Sequence, residues 1–264
     1  MAPHVPGPLY YEQIGASGLP MIFLHSTPDD HRLWMFQTAH FSAHFRTIAV
    51  DIAGYGRSPA VQDGVTIADQ AQACWEVVDR VSAGPCIIHG NSMGSVIATA
   101  MAKQQPTRTP ALILSGCGFT MSNEVFLRWK KRYEDEGIAL RHEQVLDHFA
   151  PGTRENPMLQ YYARMVVELN NHGTLASIIA MNGALAHREP EAYYQALAVP
   201  TMIIAGTKDR TYPSAFALQK LIPGCLLKEI EGAGHAPMIE APIEYDRHAI
   251  DFLAALGLYP GSIA

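Results

Sequence analysis

Cysteine is scarce in this 264-residue chain and never arranged for pairing. The four, Cys74, Cys86, Cys117 and Cys225, stand singly on a predicted helix, a strand, a strand end and a strand start. No C-x-x-C pair exists to hold zinc or run thiol exchange, so they are read as reduced, buried packing residues, with Cys117 closest to a strand's functional end. Long apolar runs are also missing, so no segment is read as membrane-spanning. The first residues, Met1 to Pro8, carry no apolar core of signal-peptide length, and the expected location is the cytoplasm. An excess of positive charge is missing too: the net charge is -6, which gives no support for nucleic acid or an anionic membrane as a partner. With 48% hydrophobic and 17% charged residues, the composition fits a globular domain able to bury a sizeable core. Repeats and low-complexity segments do not occur.

What is present centres on His89-Gly90-Asn91-Ser92-Met93-Gly94. Pro85 to Ile88 reads as a buried strand. After the turn, Met93, Val96, Ile97, Ala100 and Met101 recur at helical spacing until Pro106 stops the helix. A Gly-x-Ser-x-Gly turn between strand and helix is a nucleophile elbow: a strained backbone lifts the serine hydroxyl, and the glycines permit close approach of helix and strands. The Met93 amide then lies at the helix start, where free N–H groups and the dipole stabilise an oxyanion.

Along the chain, strands are expected at Leu9 to Ile14, Met21 to Leu24, Thr47 to Val50, Ala111 to Leu114, Thr201 to Ala205 and Leu226 to Ile230. Thr66 with Asp69 starts a helix running to about Arg80, another lies near Ser214 to Leu221, and Tyr245 to Leu256 forms a final amphipathic one. From Gly118 to Val199 the alternation stops, leaving only helical patterns broken at Gly137, Pro151-Gly152, Gly173 and Pro190. The predicted organisation is an α/β core over 1–117 and 199–264, a mostly parallel sheet with helices on both faces, and an inserted helical cap over 118–198.

A serine hydroxyl needs a base, and the base needs an orienting acid. Loops after two late strands supply them: Gly206-Thr207-Lys208-Asp209 and Gly234-His235-Ala236-Pro237. The order Ser92, Asp209, His235 is the one expected for an elbow serine in this architecture.

The chain resembles the α/β-hydrolase superfamily at five successive motifs: His25 to Pro28, Asp51 to Ser58, Gly90 to Gly94, Gly206 to Asp209 and Gly234 to Pro237. The resemblance implies a second oxyanion donor, the Thr27 amide, beside that of Met93. It gives His25, Asp51 and Arg57 structural parts, and His89 reads as a packed strand residue. Ser26 departs from the glycine usual at its position. Ser26, Trp34, Asn91, Trp129 and Met238 are taken as the residues meeting substrate. Phe126, Trp129, Tyr133, Tyr161, Tyr162, Met165 and Met181 of the insert divide between pocket lining and the cap's own core. Arg128, Lys130, Lys131 and Arg132 read as a solvated helix face.

The expected activity is cleavage of a small, largely apolar carboxylic ester or lactone through an acyl-enzyme on Ser92, without metal or organic cofactor and with a small molecule as partner. The elbow Gly-Asn-Ser-Met-Gly is similar to that of carbon–carbon bond hydrolases of ring-cleavage products. Against carbon–carbon hydrolysis, Ser95 and Ala236 stand where those enzymes usually have glycine and tryptophan. The same fold could also serve a ligand receptor, or a cofactor-free oxygenase or perhydrolase.

Overall fold

The computed structural model describes residues 5–119, 123–169, 174–187 and 189–261. Gly173, expected to break the insert's helices, lies outside them. Seven strands form one sheet in the order β1-β3-β2-β4-β5-β6-β7. They are β1 (Tyr11–Ile14), β2 (Pro20–Leu24), β3 (Arg46–Val50), β4 (Ile87–Asn91), β5 (Leu112–Ser115), β6 (Thr201–Gly206) and β7 (Leu226–Ile230). Only β1 runs antiparallel, against β3. It is shorter than predicted because Tyr10 N–H leaves the ladder for Ser58 Oγ at 2.8 Å.

Every residue of β2, β4, β5 and β6 is buried, as strands covered on both faces require. Alternate residues divide between two cores. Ile22, Leu24, Ile88, Leu112 and Ile203 face one, and Met21, Phe23, Ile87, Ile113 and Ile204 face the other. The first is closed by α2 (Ile67–Val81) and α3 (Met93–Gln104), the second by α1 (Met35–Phe41), α10 (Pro237–Glu240) and α11 (Pro242–Ala255). The predicted start of α2 is a full capping box: Asp69 N–H donates to Thr66 Oγ1 at 3.1 Å and Thr66 N–H to Asp69 Oδ2 at 3.0 Å.

Between β5 and β6 the described residues form helices only, α4 (Asn123–Glu136), α5 (Leu140–Leu146), α6 (Pro157–Leu169), α7 (Leu175–Leu185) and α8 (Glu191–Gln195). Helix α9 (Tyr212–Leu221) follows β6. The insert is tied to loops at the strand ends. Tyr162 OH donates to Asp29 Oδ1 at 3.0 Å, Val61 N–H to Ser177 Oγ at 3.0 Å, and Arg32 to the Met165 carbonyl at 3.2 Å. Those contacts place the helices above the carboxyl ends of the strands, where open α/β sheets bind their ligands. No helix among the described residues is long and apolar enough to cross a membrane.

Candidate active site

Ser92 joins β4 to α3 at φ 53° and ψ -114°, the one non-glycine residue with positive φ among those described. Such a conformation costs about 1–3 kcal/mol and persists because the surroundings impose it. Ser92 N–H is held by the Ser115 carbonyl at 2.9 Å, while its own carbonyl receives Ser95 N–H at 2.9 Å. A Cβ on Gly90 would overlap the Gly94 backbone, and one on Gly94 would overlap the Leu24 carbonyl. Both glycines are therefore needed for the helix to start this close to the sheet.

The loop after β6 delivers Asp209 and the loop after β7 delivers His235, whose Nδ1 lies 2.9 and 3.0 Å from the two carboxylate oxygens. Asp209 also accepts Thr211 N–H at 2.8 Å and Thr211 Oγ1–H at 2.6 Å, which fixes the carboxylate plane. Burial alone would raise its pKa, but His235 beside it and the two Thr211 donors hold it down to about 2. An ionised Asp209 requires the proton on His235 Nδ1, leaving Nε2 unprotonated in the neutral ring. Burial also lowers the pKa of His235; Asp209 opposes that shift, while His148 and Arg210 reinforce it. The ring is therefore neutral at pH 7.

Ser92, Met93, Thr27 and His235 line one cavity of about 440 Å³. The Thr27 hydroxyl accepts from Tyr55 OH at 2.8 Å. His25 fixes the loop from below: its Nε2 accepts Ile52 N–H at 2.9 Å and its Nδ1 donates to the Ser26 carbonyl at 2.8 Å. It is structural, as the resemblance implies. Asp51, accepting from the amides of His31 at 2.8 Å and Arg57 at 2.7 Å, likewise holds the neighbouring turn.

Four residues expected against substrate lie elsewhere. Ser26 is buried and turns its hydroxyl to Asp29. Trp34 packs on the second core, its ring 5.2 Å from Phe23 and 6.0 Å from Tyr245. Met238 lies in the same core, where its carbonyl accepts from Gln37. The Asn91 amide sits beside Ser115 and 3.1 Å from the His235 carbonyl, so it braces the histidine loop. Trp129 does line the cavity, as does Phe126. Tyr133, Tyr162 and Met181 are buried core, and Tyr161 is exposed. The basic run is solvated: Lys131 pairs with Asp135 at 2.7 Å, and Arg132 with Glu136 and Glu143 at 2.6 and 2.9 Å.

Sequence reasoning missed His148, just past α5. Its carbonyl accepts His235 N–H at 2.7 Å, its ring centroid is 5.1 Å from that of His235, and its Nδ1 is 3.1 Å from buried Asp29. Val96 and Ala100 do carry a signal, but an apolar stripe at helical spacing reads as core; they line the cavity while Ile97 and Met101 face the sheet. All four cysteines are buried and free of disulfides, and Cys117 lines the cavity with a thiol whose pKa burial pushes up. Among the described residues, Asp30, His31 and Asp51 bring possible metal-ligand atoms within 4.8 Å of one another. Those atoms already answer one another and Arg32, with His31 Nδ1 2.6 Å from Asp51 and Asp30 paired to Arg32.

A parallel sheet with an elbow serine and a late Asp–His pair defines the α/β-hydrolase class of protein. The alpha/beta hydrolase family matches residues 21–247, and the chain belongs to that family. Among curated relatives, it is 30% identical over 88% of its length to the AB hydrolase superfamily protein YisY of Bacillus subtilis, covering 90% of that protein. It is 27% identical to a putative carbamate hydrolase, RutD, of Variovorax paradoxus, covering 94% of this chain and 96% of the relative. Among solved structures, the enol-lactonase of Burkholderia xenovorans superposes with a TM-score of 0.85 at 23% identity, covering 95% of this chain and 98% of that one.

Proposed function

We propose that the protein is a serine hydrolase that cleaves a largely apolar carboxylic ester or lactone through an acyl-enzyme on Ser92. The observation that carries this reading is the meeting of a strained elbow serine and a carboxylate-held neutral histidine in the wall of one cavity. In this mechanism His235 Nε2 takes the Ser92 proton as Oγ attacks the substrate carbonyl. The Met93 and Thr27 amides stabilise the tetrahedral oxyanion. His235 then gives its proton to the leaving alcohol, and a water activated by the same nitrogen releases the acid and restores the serine. Asp209 keeps the imidazole in the required tautomer throughout.

The mostly apolar cavity wall, with Val96, Leu114, Phe126, Trp129 and Leu185, supports an apolar acyl or alcohol group. Membership of the family supports hydrolysis, while the choice of ester over other acyl bonds is the proposal. Intact-mass labelling with a fluorophosphonate tests it. One adduct mapped to Ser92, lost in both Ser92→Ala and His235→Ala, is the expected result. A folded wild-type protein that takes no label and turns over no ester overturns it.

A further inference from the structure

The cavity extends well beyond the reacting serine. Starting at Ser92 it follows one face of α3, whose Val96, Thr99, Ala100 and Lys103 all line it at helical spacing. The helix face along it is largely covered: Met93 is 1% exposed, Thr99 4% and Ala100 8%. The far end opens between exposed Thr66, Gln104 and Glu189. Two hydrogen bonds frame that mouth, Gln104 Nε2 to the Ala68 carbonyl at 3.0 Å and Lys103 Nζ to the Ala196 carbonyl at 3.3 Å. The Lys103 ammonium also lies 5.1 Å from the centre of the Tyr193 ring.

These facts set a length. Ser92 and Lys103 are 103 − 92 = 11 positions apart on the helix, about 16 Å at ~1.5 Å each. An extended covalent chain advances roughly 1.2 Å per bond, so the channel holds a chain of about ten to thirteen atoms. Opposite α3 the wall is Phe126 and Trp129 of the insert, with Tyr193 and Tyr194 nearer the mouth.

Resting on the serine-hydrolase reading, we infer that the substrate carries a medium-length apolar arm, extended along α3 from Ser92 to the collar between Lys103 and Tyr193. The substrate class is then a medium-chain acyl ester or lactone, with Thr99 and Ala100 as the floor against which the chain packs. Compact acyl groups leave most of that channel unfilled.

The test is a series of straight-chain p-nitrophenyl esters from two to fourteen carbons, measured with wild type and Ala100→Trp. In wild type, kcat/KM rises about three- to fourfold per added methylene, the factor expected for burying one, until about ten carbons, and then levels. A tryptophan at position 100 leans toward the helix start and covers the preceding turn, so its break moves to about five carbons. The decanoate-to-acetate ratio of kcat/KM then falls at least a hundredfold. Thr99→Leu supplies the same readout should the tryptophan variant fail to fold. A wild type that prefers acetate, or variants that scale all chain lengths alike, overturns the inference. If fluorophosphonate labels Ser92 and chain length has no effect, this inference alone fails. If neither label nor turnover is seen, the serine-hydrolase reading fails with it.

Discussion

Two histidine–aspartate pairs sit at opposite sides of the same sheet, alike in contact and opposite in proton affinity. His235 Nδ1 is 2.9 Å from Asp209, and His31 Nδ1 is 2.6 Å from Asp51. Each aspartate follows a parallel strand, and each ring is largely buried. Burial and nearby positive groups lower the pKa of His235 despite its carboxylate. His31 feels burial too, but Asp51, Asp30 and Glu12 together raise its pKa. Glu12 also lies 3.3 Å from His31 Nε2, so both ring nitrogens face carboxylates, whereas His235 lines a cavity. A short His–Asp contact therefore does not by itself make a base. Depth, and what faces the second nitrogen, decide whether the ring's proton affinity falls or rises.

The comparison breaks most sharply at the aspartates. Asp209→Asn removes the acceptor that sets the tautomer, and kcat for ester hydrolysis is expected to fall about 10³- to 10⁴-fold in the folded variant. Asp51→Asn leaves the cavity intact but places an amide against two backbone N–H groups and His31. There the expected loss is about 3 kcal/mol of stability, on the order of 5–10 °C in Tm, with kcat within tenfold of wild type. Kinetics and thermal melts on the two variants check both halves. A folded Asp51→Asn as inactive as Asp209→Asn would erase the distinction.

The site is legible in the sequence where its geometry is local. Gly90, Ser92 and Gly94 report a close helix–strand approach within five residues, and Asp209 and His235 each stand in a short loop directly after a strand. Proximity along the chain fails for Ser26, Trp34, Asn91 and Met238, because a residue next to the site in sequence can point to the opposite face of the sheet or down into its neighbours. Val96 and Ala100 escape for a different reason: an apolar stripe looks the same whether protein or a cavity covers it. His148 has no local signal at all, since it meets His235 through a backbone carbonyl 87 positions away. The fold is more legible because continuous buried runs such as β4 and β6 record both sheet faces at once.

A third histidine sharpens the comparison by having no carboxylate. His89 is fully buried between Phe23 and Phe41, ring centroids 4.8 and 6.1 Å away, and neither ring nitrogen has a hydrogen-bond partner among the described residues. Burial pushes its pKa down to about 3. Between pH 6.5 and about 3 the unfolded chain binds a proton there that the native state refuses. Stability should therefore fall with decreasing pH by about 1.4 kcal/mol per unit from this ring. His31, with its raised pKa, slopes the other way: its contribution is complete below pH 6.5 and fades as pH rises through its folded value. In urea unfolding, His89→Phe should gain about 2 kcal/mol on wild type between pH 6.5 and pH 5. An offset that stays the same at both pH values would mean His89 is not held neutral.

The smallest expected effect is in the acid limb of the activity profile. An unshifted histidine would put that limb at the ordinary range, around 6 to 7, whereas burial lowers the pKa of His235. A base titrating at 6.5 would keep about a quarter of its neutral form at pH 6, so kcat/KM at pH 6 should stay above about a quarter of its pH 8 value. Burial is the larger cause, and Arg210 adds to it from an exposed position where its guanidinium also lies 3.5 Å from Asp147. Arg210→Gln should therefore move the limb upward by only a few tenths of a pH unit, and added salt should do the same to wild type by screening that charge. A limb that neither Arg210→Gln nor added salt moves would leave burial as the cause of the lowered value.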